Sequence, residues 1–275
     1  MTTRAPVVAV CHGGGPMPVL GDPGHAELIK SMSTKVPKIL NLGTPQAPRA
    51  IVLVTAHWSE TQPTISNGKT HKLYYDYGGF PAEAYRLKYP APGSPEVAEE
   101  VFNVLKGAGF QPKLDGERGW DHGVFIPLLL INPKADIPVI QLSVMNSASP
   151  KQHFEMGKAL AQLRDSNIAI LGSGMPTMHN LRAMFSAQGN ESNYRKRIQK
   201  WSDMLTKTTK IVDVEERSKT FEGYREWEGS REAHPIGGEE HFLPLVVCAG
   251  AGGEGEAGAF GDEMVGFKQF TYYWN

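Results

Sequence analysis

Residues 7–16 read Val7-Val8-Ala9-Val10-Cys11-His12-Gly13-Gly14-Gly15-Pro16, an unbroken apolar run that stops at a histidine and a glycine turn. Residues 51–58 repeat the pattern as Ile51-Val52-Leu53-Val54-Thr55-Ala56-His57-Trp58. Short runs rich in β-branched residues, without polar alternation, suit strands buried on both faces, as in parallel sheets. Ligands of an open parallel sheet bind beyond the carboxyl ends of its strands, so His12 and His57 are expected to face one crevice.

Pro138–Val144, Ile168–Gly172 and Gly266–Trp274 have similar composition and are predicted strands. Helical spacing marks His25–Leu40, Ser94–Gly107 and His153–Asp165, with Ser94 as an N-cap and Pro95 at the first helical position. This alternation predicts an α/β fold: a single domain over residues 1–275, its mainly parallel central sheet covered by helices on both faces, with the functional site at the carboxyl ends of the strands. Arg195-Lys196-Arg197 precedes Ile198, Trp201, Met204 and Leu205 at helical spacing, so the basic cluster reads as the solvated face of an amphipathic helix. Gly250–Gly261, mostly Gly, Ala and Glu, is predicted to be an exposed, mobile loop.

With 275 residues, 40% hydrophobic and 21% charged, the chain has the composition of an ordinary globular protein. Its 28 Lys plus Arg against 29 Asp plus Glu leave a net charge of −1, with no positive field to gather phosphates or anionic lipid. Neither nucleic acid nor a membrane is an expected partner. Met1 to Val10 lacks the long apolar core of a signal peptide, and no run approaches the ~20 apolar residues of a spanning helix. Cys11 and Cys248 lie in apolar runs, where buried thiols are expected, with one disulfide between them as the alternative. A cytoplasmic protein is the expectation.

Three further histidines stand in settings comparable to those of His12 and His57: His122 in Trp120-Asp121-His122-Gly123, His179 in Met178-His179-Asn180-Leu181, and His241 in Glu239-Glu240-His241-Phe242-Leu243. A single histidine is more often a hydrogen-bonded structural residue than a ligand; as a set, dispersed histidines fit a metal site assembled by the fold, unlike the local patterns of structural or protease zinc sites. His25, His71 and His153 lack such settings and read as structural. Gly13-Gly14-Gly15-Pro16 matches neither the dinucleotide nor the phosphate-loop spacing. The aromatic stretch Tyr74-Tyr75-Asp76-Tyr77-Gly78-Gly79-Phe80-Pro81 has the content of a pocket wall for a planar ring, and equally of a surface loop pinned by aromatics. Trp58, Tyr77, Phe80 and His234 are the candidate substrate contacts.

The ordered series His-Gly-Gly-Gly-Pro from His12, Ala-His-Trp at His57, Tyr-Asp-Tyr-Gly-Gly-Phe-Pro from Tyr75, Tyr-Pro-Ala-Pro-Gly-Ser-Pro from Tyr89, Trp-Asp-His-Gly at His122, Met-His-Asn-Leu at His179 and Glu-Glu-His-Phe-Leu-Pro-Leu at His241 resembles the class III extradiol ring-cleaving dioxygenases of the LigB superfamily, nearest their DOPA-dioxygenase-like branch. The resemblance implies metal ligands at His12, His57 and His241, a catalytic base at His179, and a second active-site histidine at His122 that contacts substrate or oxygen. One departure stands out: better-known members complete the triad with a carboxylate, where this chain has His241. Glu240 is expected to project elsewhere, and Asp121 to orient a histidine other than its neighbour.

The resemblance implies cleavage of a catechol or related small phenolic substrate with dioxygen. Fe(II) is the metal expected for that activity, and Zn(II) is the alternative, since neutral imidazoles suit both. Two other readings use the same residues: a zinc-dependent hydrolase or carbonyl-chemistry enzyme, and a non-catalytic Memo-like binding protein.

Overall fold

The apolar runs form the centre of one sheet. The computed structural model describes residues 4–275, so the first three residues of Met1 to Val10 lie outside the described residues. The strands are β1 (Val7–Cys11), β2 (Ala50–Glu60), β3 (Thr64–Ser66), β4 (Lys113–Asp115), β5 (Val139–Met145), β6 (Ile168–Gly174), β7 (Gly258–Met264) and β8 (Phe267–Trp274). They line up as β4-β3-β5-β2-β6-β1-β8-β7. The inner four, β5-β2-β6-β1, are mutually parallel, while β3 joins β5, β8 joins β1 and β7 joins β8 in antiparallel sense. The result is a single α/β domain with a mostly parallel sheet.

Strand periodicity assigns the two helical layers. Adjacent side chains of a strand face opposite ways. A Cβ on Gly172 would meet Pro244 O and Cys248 Sγ, whereas Ser173 next to it bonds Gly123 O. Helix Leu243–Ala251 therefore covers one face and helix His122–Ile131 the other. Helix Ala26–Ile39 packs with His122–Ile131; Pro150–Leu160 packs with Leu243–Ala251 and Pro95–Gly107. As expected, Ser94 caps its helix, its Oγ accepting from Val97 N at 3.2 Å. Ser149 and Pro150 repeat that device, so the helix predicted from His153 begins three residues earlier and tightens to a 3-10 turn over Ala161–Ser166. Residues Ser192–Thr209 form the amphipathic helix, with Ile198, Trp201 and Leu205 buried.

The segment Gly250–Gly261 departs from expectation. Gly250 and Ala251 close the buried helix, and Gly258–Gly261 belong to β7. Small residues here serve close packing: a Cβ on Gly250 would run into Phe154 O, so the helices Leu243–Ala251 and Pro150–Leu160 approach backbone to backbone. Both cysteines are buried and free. No helix among the described residues is long and apolar enough to cross a membrane.

Candidate metal centre

Each histidine of the set is delivered by a different element. His12 directly follows β1, with its backbone N–H on Gly174 O at 2.9 Å. His57 lies inside β2, which runs on to Glu60, four residues beyond the apolar run predicted as a strand over Ile51–Ala56. There the register with β5 jumps from Thr55 to Ser59, leaving Ala56, His57 and Trp58 unmatched. Bulges of this kind re-aim side chains next to functional sites. His122 opens a mostly buried helix, His179 follows β6 with its N–H on Ala233 O at 2.9 Å, and His241 sits where Met175 N, just past β6, bonds its carbonyl at 3.0 Å. That docking needs the preceding Gly174, because a Cβ there would run into His241 O.

The five imidazoles meet at one cavity of about 430 Å³, which His12, His57, His122, His179 and His241 all help to line. His57 Nε2 lies 3.3 Å from His12 Nε2 and 3.2 Å from His241 Nε2. The opposite nitrogens are already committed. Ser173 Oγ donates to Gly123 O and so accepts from His12 Nδ1 at 3.1 Å. His241 Nδ1 donates to Glu240 Oε1 at 2.9 Å, and His57 Nδ1 lies 3.4 Å from Asp76 Oδ2. With protons on Nδ1, the Nε2 lone pairs of these three rings point at one another, an arrangement that a divalent cation relieves. The donor set therefore fits a metal ion.

Proximity of ligand atoms alone gives two groups able to hold a metal, His12 with His57 and His122, and His179 with Glu240 and His241, the atoms of each within 4.8 Å. His122 turns its Nδ1 toward Asp76 Oδ1 at 2.8 Å and lies beside His57 with ring centroids 3.8 Å apart and planes tilted by 48°. His179 stacks on His241 at 3.5 Å and 15°.

Burial keeps these rings neutral. Desolvation, with neighbouring imidazoles adding to it, holds His12 and His241 well below the usual histidine range and His57 down to about 3. Burial likewise lowers His179 to about 4. Desolvation would raise the Asp76 carboxyl, but hydrogen bonds from the ring and the backbone N–H of His122 leave it below its ordinary value. Burial pushes Glu240 up.

Tyr77 and Phe80 line the cavity; Tyr77 packs edge-on against His122 at 5.7 Å, with Phe80 beyond it at 5.5 Å. Two expected contacts are not brought there. Trp58 is turned away from the cavity, its Nε1 donating to Glu60 Oε1 at 3.0 Å beneath the Arg118 guanidinium. His234 is buried among Trp201 and Phe242 and bonds Pro176 O at 3.2 Å. Tyr74 and Tyr75 also stand back, Tyr74 exposed and Tyr75 tied to Leu87 O at 2.7 Å.

Two carboxylates correct the sequence reading. Glu240, expected to project elsewhere, backs His241 and lies 3.9 Å from His179 Nδ1. Asp121 orients no ring; it is bound by Thr55, Gln141 and Arg118. Asp76 holds His122 instead, and its signal was its place as the lone acid in an aromatic run. Ser173, between two glycines at a strand end, was missed as well. His25, His71 and His153 are structural: His25 Nε2 accepts from Gly14 N at 3.1 Å and so pins the glycine turn, His71 stacks on Trp120, and His153 Nε2 accepts from Met145 N at 2.9 Å.

The family described as the catalytic LigB subunit of aromatic ring-opening dioxygenase matches residues 12–272. "Dioxygenase tasH" of Hapsidospora irregularis is 48% identical, over 98% of this chain and 85% of its own. "4,5-DOPA dioxygenase extradiol" of Beta vulgaris is 38% identical over 75% of this chain and 74% of its own, and the protein of that name from Escherichia coli (strain K12) 34% over 91% and 86%. The crystal structure of an uncharacterized protein from Escherichia coli K12 superposes with a TM-score of 0.72 at 29% identity, covering 99% of this chain and 100% of the other. On these matches the chain belongs to the LigB family of aromatic ring-opening dioxygenases, in the branch of the extradiol enzymes just named, and is an extradiol dioxygenase.

Proposed function

We propose that this enzyme cleaves the ring of a catechol or related small phenolic substrate with dioxygen, at one metal ion held by Nε2 of His12, His57 and His241. The observation that carries the reading is the convergence of these nitrogens while the opposite nitrogens face Ser173, Asp76 and Glu240. Fe(II) is the metal we assign, because imidazoles suit iron and a reaction with dioxygen would call for a redox-active metal; Zn(II) is the alternative that an all-imidazole set also suits. When bound, the metal supplies acidification of the diol and a meeting place for it with dioxygen.

The remaining steps fall to the chain. His179, neutral because burial lowers it to about 4, takes the proton of a substrate hydroxyl. Its Nδ1 is buried without a hydrogen-bond partner, 3.9 Å from Glu240 Oε1, so that carboxylate offsets the charge of the imidazolium formed. His122, fixed through Nδ1 by Asp76, presents its other edge to substrate or oxygen. Tyr77 and Phe80 take the ring and exclude water.

Metal content and oxygen uptake of single Ala variants test the assignment. His12→Ala, His57→Ala and His241→Ala lose stoichiometric metal, whereas His122→Ala keeps it. Retention of metal by His241→Ala with loss in His122→Ala would transfer the third ligand position to His122.

A further inference from the structure

We propose that the substrate carries no charged group on the part that extends beyond its diol, and that this enzyme selects neutral, apolar-substituted catechols over those bearing a carboxylate. The inference rests on the ring-cleaving reading above and adds the substrate class to it.

Away from the histidines, the cavity is walled by Met17, Phe80, Met175, Leu181 and Phe185 together with the glycine turn. Phe80 rests on that turn, since a Cβ on Gly15 would lie 3.3 Å from Phe80 Cζ. Leu181 and Phe185 stand one helical turn apart at the mouth and are 47% and 63% exposed, an apolar rim with no partner among the described residues. Among the described residues no Lys or Arg lines the space. Arg182, between the two rim residues, is exposed and off the cavity. Arg118 is spent on Asp121, the His57 carbonyl and the face of Trp58.

The two nearby carboxylates face the Nδ1 atoms of histidines, Asp76 those of His57 and His122, and Glu240 those of His241 and His179. A substrate carboxylate entering this part of the space would shed its water, find no Lys or Arg among the lining residues to replace it, and face negative charge behind the rings. An alkyl or aryl substituent would instead be buried against sulfur, aromatic and aliphatic surface.

Calorimetric binding to the zinc-loaded protein, with no turnover needed, compares 4-ethylcatechol, 3,4-dihydroxyphenylacetate and DOPA, which share the diol and differ in charge. The neutral compound should bind about tenfold or more tighter than either charged one, the cost of an unpaired buried charge even when partly solvated. Phe185→Arg, at an exposed rim position, should narrow that gap by improving dihydroxyphenylacetate binding. Equal binding of the three, tighter binding of a charged compound, or no binding of any overturns the proposal. Oxygen uptake by the iron-loaded protein is read separately: if no catechol supports it while the neutral preference in binding persists, ring cleavage fails and the selectivity stands.

Discussion

Asp76 Oδ1 accepts both the backbone N–H of His122 at 2.9 Å and its Nδ1–H at 2.8 Å, so one carboxylate caps the helix that His122 opens and fixes the ring at its tip. Its other oxygen faces His57 Nδ1 at 3.4 Å, which links the two rings through a residue outside the histidine set. Asp76→Asn keeps an acceptor for His122 but can present an N–H to the N–H of His57. Metal affinity or turnover should fall ~10–100-fold, the usual cost of losing a group that orients a ligand. Metal titration and oxygen uptake on the variant check this, and wild-type values for both would show that Asp76 is only a helix cap.

His179 should separate chemistry from metal binding. His179→Ala should keep stoichiometric metal and lose turnover by ~100-fold or more, as expected for a general base. Loss of metal in step with activity would instead make His179 a ligand, in line with its stacking on His241.

Buried neutral histidines outside the centre give the fold a pH dependence of predictable sign. His153 is lowered by burial to about 4, and its Nε2 accepts from Met145 N, which a protonated ring cannot do. Because the folded value lies below the unfolded 6.5, the unfolded chain binds more protons between them. The stability His153 contributes is complete above pH 6.5, lost as pH falls, and fully lost below about pH 4. The slope is at most about 1.4 kcal/mol per pH unit. Denaturant unfolding of metal-free wild type and His153→Gln across that window should show the variant with the flatter profile; parallel profiles would contradict the assignment.

Much of this was legible in the chain because local signals and tertiary demands agreed. Val7–Cys11 is a strand with the bounds its apolar run sets, and Ser94-Pro95 starts its helix as such a pair should. Residues 122–131 gave no such signal: a helix apolar on every side has no polar face, so periodicity cannot tell it from a buried strand. The three-residue strands β3 and β4 are too short to announce themselves. In the site, the five histidines could be picked out because each stands beside a strand or helix boundary, but their partners could not. Asp76 reaches His122 across 46 positions and Ser173 reaches His12 across 161, and such pairings exist only once the sheet is formed. Trp58 misled because adjacency to His57 is not proximity to the cavity: a bulged strand aims neighbours apart.

We propose one metal site, built by His12, His57 and His241, that opens a catechol ring with dioxygen. Anaerobic reconstitution of the metal-free protein with Fe(II), followed by a catechol panel under air with oxygen uptake and product absorbance recorded together, tests it most directly. One iron per chain and one dioxygen consumed per ring opened, both abolished in His57→Ala, is the predicted result. Iron binding unaffected by His57→Ala, or no catechol-dependent oxygen uptake across the panel, would contradict it.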